Sequence, residues 1–132
     1  MVWIHEVTSI GEEKGLFYGT CRVLLDDKSL FCSETGKMRG SVAIELTGQA
    51  YGYSRACFHV VNDIDDTPKV TYMTGVRSCE TYFNGFENNN ETELKVEVQA
   101  TRRIPPLTFI EGTVTGKDDT LYAKAEIQVY TV

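Results

Sequence analysis

The stretch Arg39-Gly40-Ser41-Val42-Ala43-Ile44-Glu45-Leu46-Thr47-Gly48-Gln49-Ala50, continuing to about Val60, decides how the rest of the chain must fold. Val42, Leu46, Gln49, Tyr53, Cys57 and Val60 recur at three- and four-residue spacing, which predicts an α-helix over residues 41–60. Ser41 stands where an N-cap would, its hydroxyl able to accept a bond from an amide of the first turn. Ala43, Ala50 and Ala56 add small apolar positions, and Glu45 and Arg55 are the only ordinary charges. A helix so apolar on every side is expected to be buried. Gly48 and Gly52 each cost a helix interior about 1 kcal/mol relative to alanine. Their presence predicts close approach by another backbone, a sheet wrapped around the helix.

Glu45 sits in the second turn between Ile44 and Leu46, with Gln49 one turn later. A carboxylate entering an apolar site must be paired, hydrogen-bonded or protonated. Desolvation there would push its pKa up, and a hydrogen bond from Gln49 would pull it down. A glutamate that simply reaches water at the helix start needs no partner. The residues leave both readings open.

On either side of the helix the chain reads as strands. Residues 2–8 form a short one, followed by a turn through Gly11-Glu12-Glu13-Lys14-Gly15. From Leu16 to Leu25, Phe17, Gly19, Cys21 and Val23 alternate with Tyr18, Thr20 and Arg22, the pattern of a half-buried strand. Residues 29–40 read as a loop delivering the chain to the helix. Beyond the helix, Asn62-Asp63-Ile64-Asp65-Asp66-Thr67-Pro68 is an acidic connector, without the turn glycine and distal glutamate of a calcium loop. A strand over Lys69–Phe83, with Gly75 as a bulge, leads to turns at Asn84-Gly85 and Asn88-Asn89-Asn90. Leu94, Val96, Val98 and Ala100 then alternate with Lys95, Glu97, Gln99 and Thr101 up to Pro105-Pro106. The last hairpin runs from Leu107 to Thr115, turns at Gly116-Lys117-Asp118-Asp119, and returns with Leu121, Ala123, Ala125, Ile127 and Val129 inward, opposite Tyr122, Lys124, Glu126, Gln128 and Tyr130. One apolar helix among such strands is an α+β pattern, a twisted antiparallel sheet of five or six strands curled around the helix.

A chain of 132 residues suits one domain spanning 1–132. Its net charge of -6 excludes broad nucleic-acid binding, which needs a basic footprint. No run is long enough to span a bilayer, and Met1-Val2-Trp3-Ile4-His5-Glu6 has no positive region leading into an apolar one, so a cytoplasmic protein is expected. Cys21, Cys32, Cys57 and Cys79 form no CxxC pair and are expected as reduced thiols. Cys57 and His59 find no further metal ligands, and no cofactor is expected. Arg102 and Arg103 are the densest positive cluster, with Arg39 and Arg77 as additions.

Ile44-Glu45-Leu46-Thr47-Gly48-Gln49-Ala50 resembles the helix motif of hotdog-fold 3-hydroxyacyl-[acyl carrier protein] dehydratases, in which Glu is followed four residues later by Gln-Ala. Val70-Thr71-Tyr72-Met73-Thr74-Gly75-Val76-Arg77 resembles the strand after that helix. Phe109-Ile110-Glu111-Gly112-Thr113-Val114 with Leu121-Tyr122-Ala123-Lys124-Ala125-Glu126 is similar to the closing hairpin. The branch most resembled is the small dehydratase-like proteins of aryl polyene biosynthesis. The resemblance implies a hotdog fold and a dimer with its site between protomers. It also implies a thioester of acyl carrier protein or coenzyme A as ligand, within fatty acid or aryl polyene biosynthesis. In the implied mechanism a His removes the α-proton, a helix carboxyl group helps the β-hydroxyl leave, and an amide at the helix start polarises the thioester carbonyl.

Carried onto this chain, Glu45 takes the carboxylate's place and Gln49 orients it, with Gly40 and Ser41 at the thioester-binding helix start. Arg102 and Arg103 are the candidate carrier-docking residues, since an acidic carrier meeting an acidic chain needs a local basic patch. The chain departs from the family at the histidine. Where the Gly-His-Phe-Pro loop carries it, this sequence reads Leu30-Phe31-Cys32-Ser33. Met1-Val2-Trp3-Ile4 resembles the residues directly after the Pro-His pair of the aryl polyene branch, so the chain either begins downstream of that histidine or works without it. His5 is a secondary catalytic candidate, and His59 a partner for the helix C-terminus. Three functions compete: a dehydratase; a thioesterase in which Glu45 attacks or activates water, with Thr47 and Gln49 positioning it; and a non-catalytic subunit binding an acyl chain, as a homodimer or beside a related hotdog subunit.

Overall fold

The computed structural model describes residues 2–62 and 71–131. Met1 and most of the acidic connector, with Lys69 and Val70 of the expected third strand, lie outside the described residues. The strands are β1 (Ile4–Glu13), β2 (Leu16–Leu24), β3 (Thr71–Thr81), β4 (Glu93–Ile104), β5 (Leu107–Thr115) and β6 (Leu121–Thr131), and α1 (Gly40–Val61) lies between β2 and β3 in the chain. They make one six-stranded antiparallel sheet in the order β1-β2-β4-β5-β6-β3. α1 lies across one face and touches all six strands.

Alternation builds the sheet as expected. Phe17, Gly19, Cys21 and Val23 of β2 and Leu94, Val96, Val98 and Ala100 of β4 are buried on the helix side. β1 runs further than residue 8, because Lys14 and Gly15, both at positive φ, turn the chain in two residues. A register shift in the β3–β6 pairing falls between Met73 and Gly75, at the bulge the sequence predicted. Pro105 and Pro106 form the β4–β5 turn.

Three expectations need correction. The helix begins one residue early, at Gly40, so Ser41 is not the N-cap; Arg39 holds that position, and its side chain makes no capping hydrogen bond. The helix is also not buried all round. Its inward stripe is Val42, Ala43, Leu46, Thr47, Ala50, Tyr51 and Ser54, whereas Tyr53 and Val60 are exposed. At 100° per residue that stripe includes two small polar residues, Thr47 and Ser54, that the apolar periodicity overlooks. Finally, Tyr122 is fully buried, although alternation assigns it to the outer side. The loop after β3 folds over it: Phe86 packs against its ring, Asn89 donates to its hydroxyl at 2.8 Å, and that hydroxyl donates to Glu91 at 2.8 Å.

Close approach between helix and sheet occurs through glycines of the sheet, not those of the helix. A Cβ at Gly112 would lie 2.4 Å from the Thr47 hydroxyl, and one at Gly19 would lie 2.4 Å from that of Ser54. Gly52 has nothing within 4 Å, and Gly48 meets only the terminal methyl of Met73, at 2.9 Å. Gly112→Ala is therefore expected to destabilise the protein by about 1–3 kcal/mol through overpacking, with part of the loss recovered when Thr47→Ala is added. Gly52→Ala should instead stabilise it by about 0.5–1 kcal/mol. Urea unfolding of the variants checks both signs.

Candidate active site

The helix motif divides between two faces. Thr47 is fully buried, its hydroxyl donating to the Ala43 carbonyl at 2.8 Å over Gly112, so it cannot position water beside Glu45. Glu45, two residues away and so about 200° around the helix, is exposed. Ile44 and Leu46 flank it in sequence but point elsewhere, and the apolar surroundings expected for its carboxylate are not supplied by this chain. Gln49 does lie one turn along the same face. Its Nε2 donates to Glu45 Oε1 at 3.1 Å, while its own Oε1 accepts from the backbone N–H of Trp3 at 2.8 Å. A relay Trp3–Gln49–Glu45 thus runs along the exposed side of the second and third turns.

The helix start lies five residues before Glu45, about 7.5 Å along the axis. Since the Arg39 side chain does not cap it, the amides of Gly40 and Ser41 keep the partial positive charge of a helix N-terminus. The preceding loop holds that end in place. Arg39 Nε donates to the Cys32 carbonyl at 2.7 Å, the Arg39 amide donates to Phe31 at 2.8 Å, and Cys32 and Met38 form a β-bridge. Phe31 also packs against Trp3, the rings tilted by 45° with centroids 5.2 Å apart, which ties the loop to the start of β1. From β3, the Cys79 thiol reaches the Gly40 carbonyl at 3.6 Å.

The two histidines lie apart from each other. His5 is exposed where the β1–β2 register shifts, two residues beyond Trp3 and outside the relay. His59 is fourteen residues after Glu45, about 21 Å along the helix, and cannot act with it in one chain. Its Nε2 lies 3.3 Å from the Arg55 guanidinium, which can only donate. His59 stands in the last turn of α1, where a partner for the helix C-terminus was expected.

Arg102 and Arg103 are both exposed but do not form one patch, because neighbouring strand residues face opposite ways. Arg102 pairs with Phe109, the ring beneath the Arg77 guanidinium at 5.1 Å, on the face away from α1. Arg103 pairs with Thr108 on the helix side. There burial pushes the Tyr51 phenol up, against the opposing pull of nearby Arg55 and Arg103 and a hydrogen bond with Thr108. Arg39 is engaged with the loop. Sequence reading missed Arg55, whose guanidinium lies over Phe17 at 5.0 Å and Phe58 at 5.7 Å. A depression on the opposite sheet face is lined by Glu12, Glu13, Glu97 and Glu111, a poor surface for an acidic partner.

Among the described residues no three His, Cys, Asp or Glu side chains are grouped to hold a metal, and no helix is long and apolar enough to cross a membrane. The four cysteines are free. Desolvation by burial pushes the Cys32 and Cys79 thiols up, lowering their thiolate fraction at any given pH. Neither is an activated nucleophile. At pH 8 both are expected to alkylate with iodoacetamide more slowly than free cysteine, with rates still climbing above the ordinary thiol pKa; peptide mass spectrometry resolves the two sites.

Comparison with solved structures places this geometry among hotdog proteins. The dehydratase heterocomplex ApeI:P of Xenorhabdus doucetiae superposes with a TM-score of 0.72 at 18% identity, over 99% of this chain and 83% of that one. The yhdA protein of Lactococcus lactis, a suspected thioesterase, gives 0.70 at 12% identity, over 98% and 91%. The thioesterase HI1161 of Haemophilus influenzae gives 0.67 at 8% identity, over 96% and 77%. At such identities these likenesses establish the fold. No curated protein matches the sequence significantly. The sequence model of the ApeP-like family, described as ApeP dehydratase, matches residues 1–132, and the chain belongs to that family.

Proposed function

We propose that this chain binds a 3-hydroxyacyl thioester and takes part in its dehydration, as one hotdog domain over residues 1–132 paired with a second hotdog subunit. The observation that carries the reading is the Trp3–Gln49–Glu45 relay, one turn beyond an uncapped helix N-terminus. The amides of Gly40 and Ser41 would hold the thioester carbonyl and stabilise the enolate formed when the α-proton leaves. Glu45, its carboxyl group held by Gln49, would deliver the proton with which the β-hydroxyl departs as water. An exposed carboxylate in one chain gains the water-poor surroundings this chemistry needs when a second subunit covers it. The heterocomplex nature of ApeI:P supports such a pairing, with a like or a related hotdog chain. His5 is the candidate base, since His59 lies too far along the helix.

A second reading comes from the same relay, which holds a carboxylate and an amide but no histidine. Glu45 could then activate water against the thioester, giving a thioesterase. A chain that binds the acyl group and turns over neither way would be a supporting subunit. Glu45→Gln is expected to keep fold and dimer, by circular dichroism and sedimentation, and to lower turnover at least about 100-fold, the scale of one general acid–base group. Enoyl product and free thiol, followed separately on 3-hydroxyacyl and saturated acyl thioesters, distinguish dehydratase from thioesterase. Full activity in the variant removes Glu45 from the mechanism.

The carrier is proposed to be acyl carrier protein or coenzyme A. Arg102 and Arg103 remain the docking residues, with Arg103 the stronger because it shares the helix side with Arg55. Arg103→Glu is expected to weaken acyl-carrier affinity about tenfold at low salt and less at high salt, with Arg102→Glu smaller in effect. Equal affinities for both variants and wild type, measured by titration calorimetry, would displace docking to another surface.

A further inference from the structure

We infer that Trp3 is a positioning residue whose backbone N–H sets the orientation of Gln49 and, through it, that of Glu45. The inference rests on the reading of Glu45 under Proposed function and adds the element that organises it. A glutamine side chain presents an acceptor on one side and two donors on the other, and a half-turn about its last bond exchanges them. The Trp3 N–H is a donor 2.8 Å from one end of the Gln49 amide, so that end must be the oxygen. The Nε2 group is thereby turned toward Glu45 Oε1, at 3.1 Å. With the amide reversed, an N–H would face the Trp3 N–H and a carbonyl oxygen would face the carboxylate, two repulsive contacts in place of two bonds.

Trp3 is suited to this task by its place in the chain. It immediately precedes β1, whose pairing with β2 begins at Ile4, so its N–H is not needed for the sheet ladder. Its indole is half-buried and packs on Phe31, which belongs to the loop that also carries Arg39 to the helix start. One residue therefore links three parts of the site: the helix face, the edge strand and the loop. β1 is an edge strand with exposed or half-buried side chains, and this corner ties its start to the helix face in addition to its ladder with β2.

The test compares Trp3→Pro, which removes the N–H, with Trp3→Ala, which keeps it but removes the ring, and with Trp3→Phe, which keeps both. Two readouts are taken on the intact protein: kcat and KM on 3-hydroxyacyl and saturated acyl thioesters, and the side-chain amide resonances of Gln49 in 15N-labelled protein, assigned by their loss in Gln49→Ala. Trp3→Pro is expected to shift the Gln49 resonances and lower kcat about tenfold with KM changed less than about twofold. Trp3→Ala should retain the Gln49 resonances, and Trp3→Phe should restore wild-type kinetics. A Trp3→Pro protein, folded by circular dichroism, with unchanged Gln49 resonances overturns the inference. So does a Trp3→Ala protein that loses as much as Trp3→Pro, since packing and not the amide would then be responsible. A wild type with neither enoyl product nor free thiol overturns the proposed function instead, and the Gln49 resonances alone then decide what Trp3 orients.

Discussion

The structure depends on how closely one helix can lie against a twisted sheet. Two sheet glycines, Gly19 in β2 and Gly112 in β5, leave room for the hydroxyl side chains of Ser54 and Thr47, and a Cβ at either would occupy that space. This contact sets the depth and rotation of α1. With Leu46, Ala43 and Ala50 fully buried beside those hydroxyls, the helix can turn neither way without opening a cavity or forcing an overlap. The polar atoms so buried are not orphaned: Thr47 bonds back to Ala43, and Ser54 lies 3.4 Å from the Cys21 thiol.

Once that rotation is set, the opposite side of the helix is available for chemistry. Glu45 and Gln49 project away from the sheet because Thr47 and Leu46 project into it. The same rotation turns Gln49 toward the start of β1, where the Trp3 N–H meets it. The uncapped helix start is the other half of the arrangement. A capping side chain at position 39 would satisfy one of the first amides; that of Arg39 makes no such bond and donates instead to the Cys32 carbonyl. The protein thereby carries an exposed carboxylate within two turns of a helix start that the Arg39 side chain does not cap.

Most of the fold was legible in the residues. Alternation located β2, β4 and β6, the flanking turn residues bounded β5, and the three- and four-residue spacing around Glu45 located the helix to within a residue at each end. Legibility failed where a partner distant in sequence decided the outcome. Tyr122 follows the outward pattern of β6, yet a loop some thirty residues earlier supplies Phe86, Asn89 and Glu91 to bury it. Gly48 and Gly52 looked like the points of close approach, but the glycines that serve are on strands, where no helical penalty advertises them. Arg102 and Arg103 read as one positive cluster, and the strand period sends them to opposite faces.

The candidate site divides along the same line. The sequence by itself determined the helix, its carboxylate and the amide four residues on, because a period of 3.6 places Glu45 and Gln49 together whatever surrounds them. It also determined the sheet alternation and, through the Glu–Gln-Ala motif, the family. Only the tertiary structure decided that Glu45 is exposed in its own chain while Thr47 is buried, since that depends on which side of the helix the sheet takes. It alone brought the Trp3 N–H to Gln49, forty-six residues away. Local spacing can align groups within one element; joining an edge strand, a loop and a helix face requires the packed sheet that carries all three.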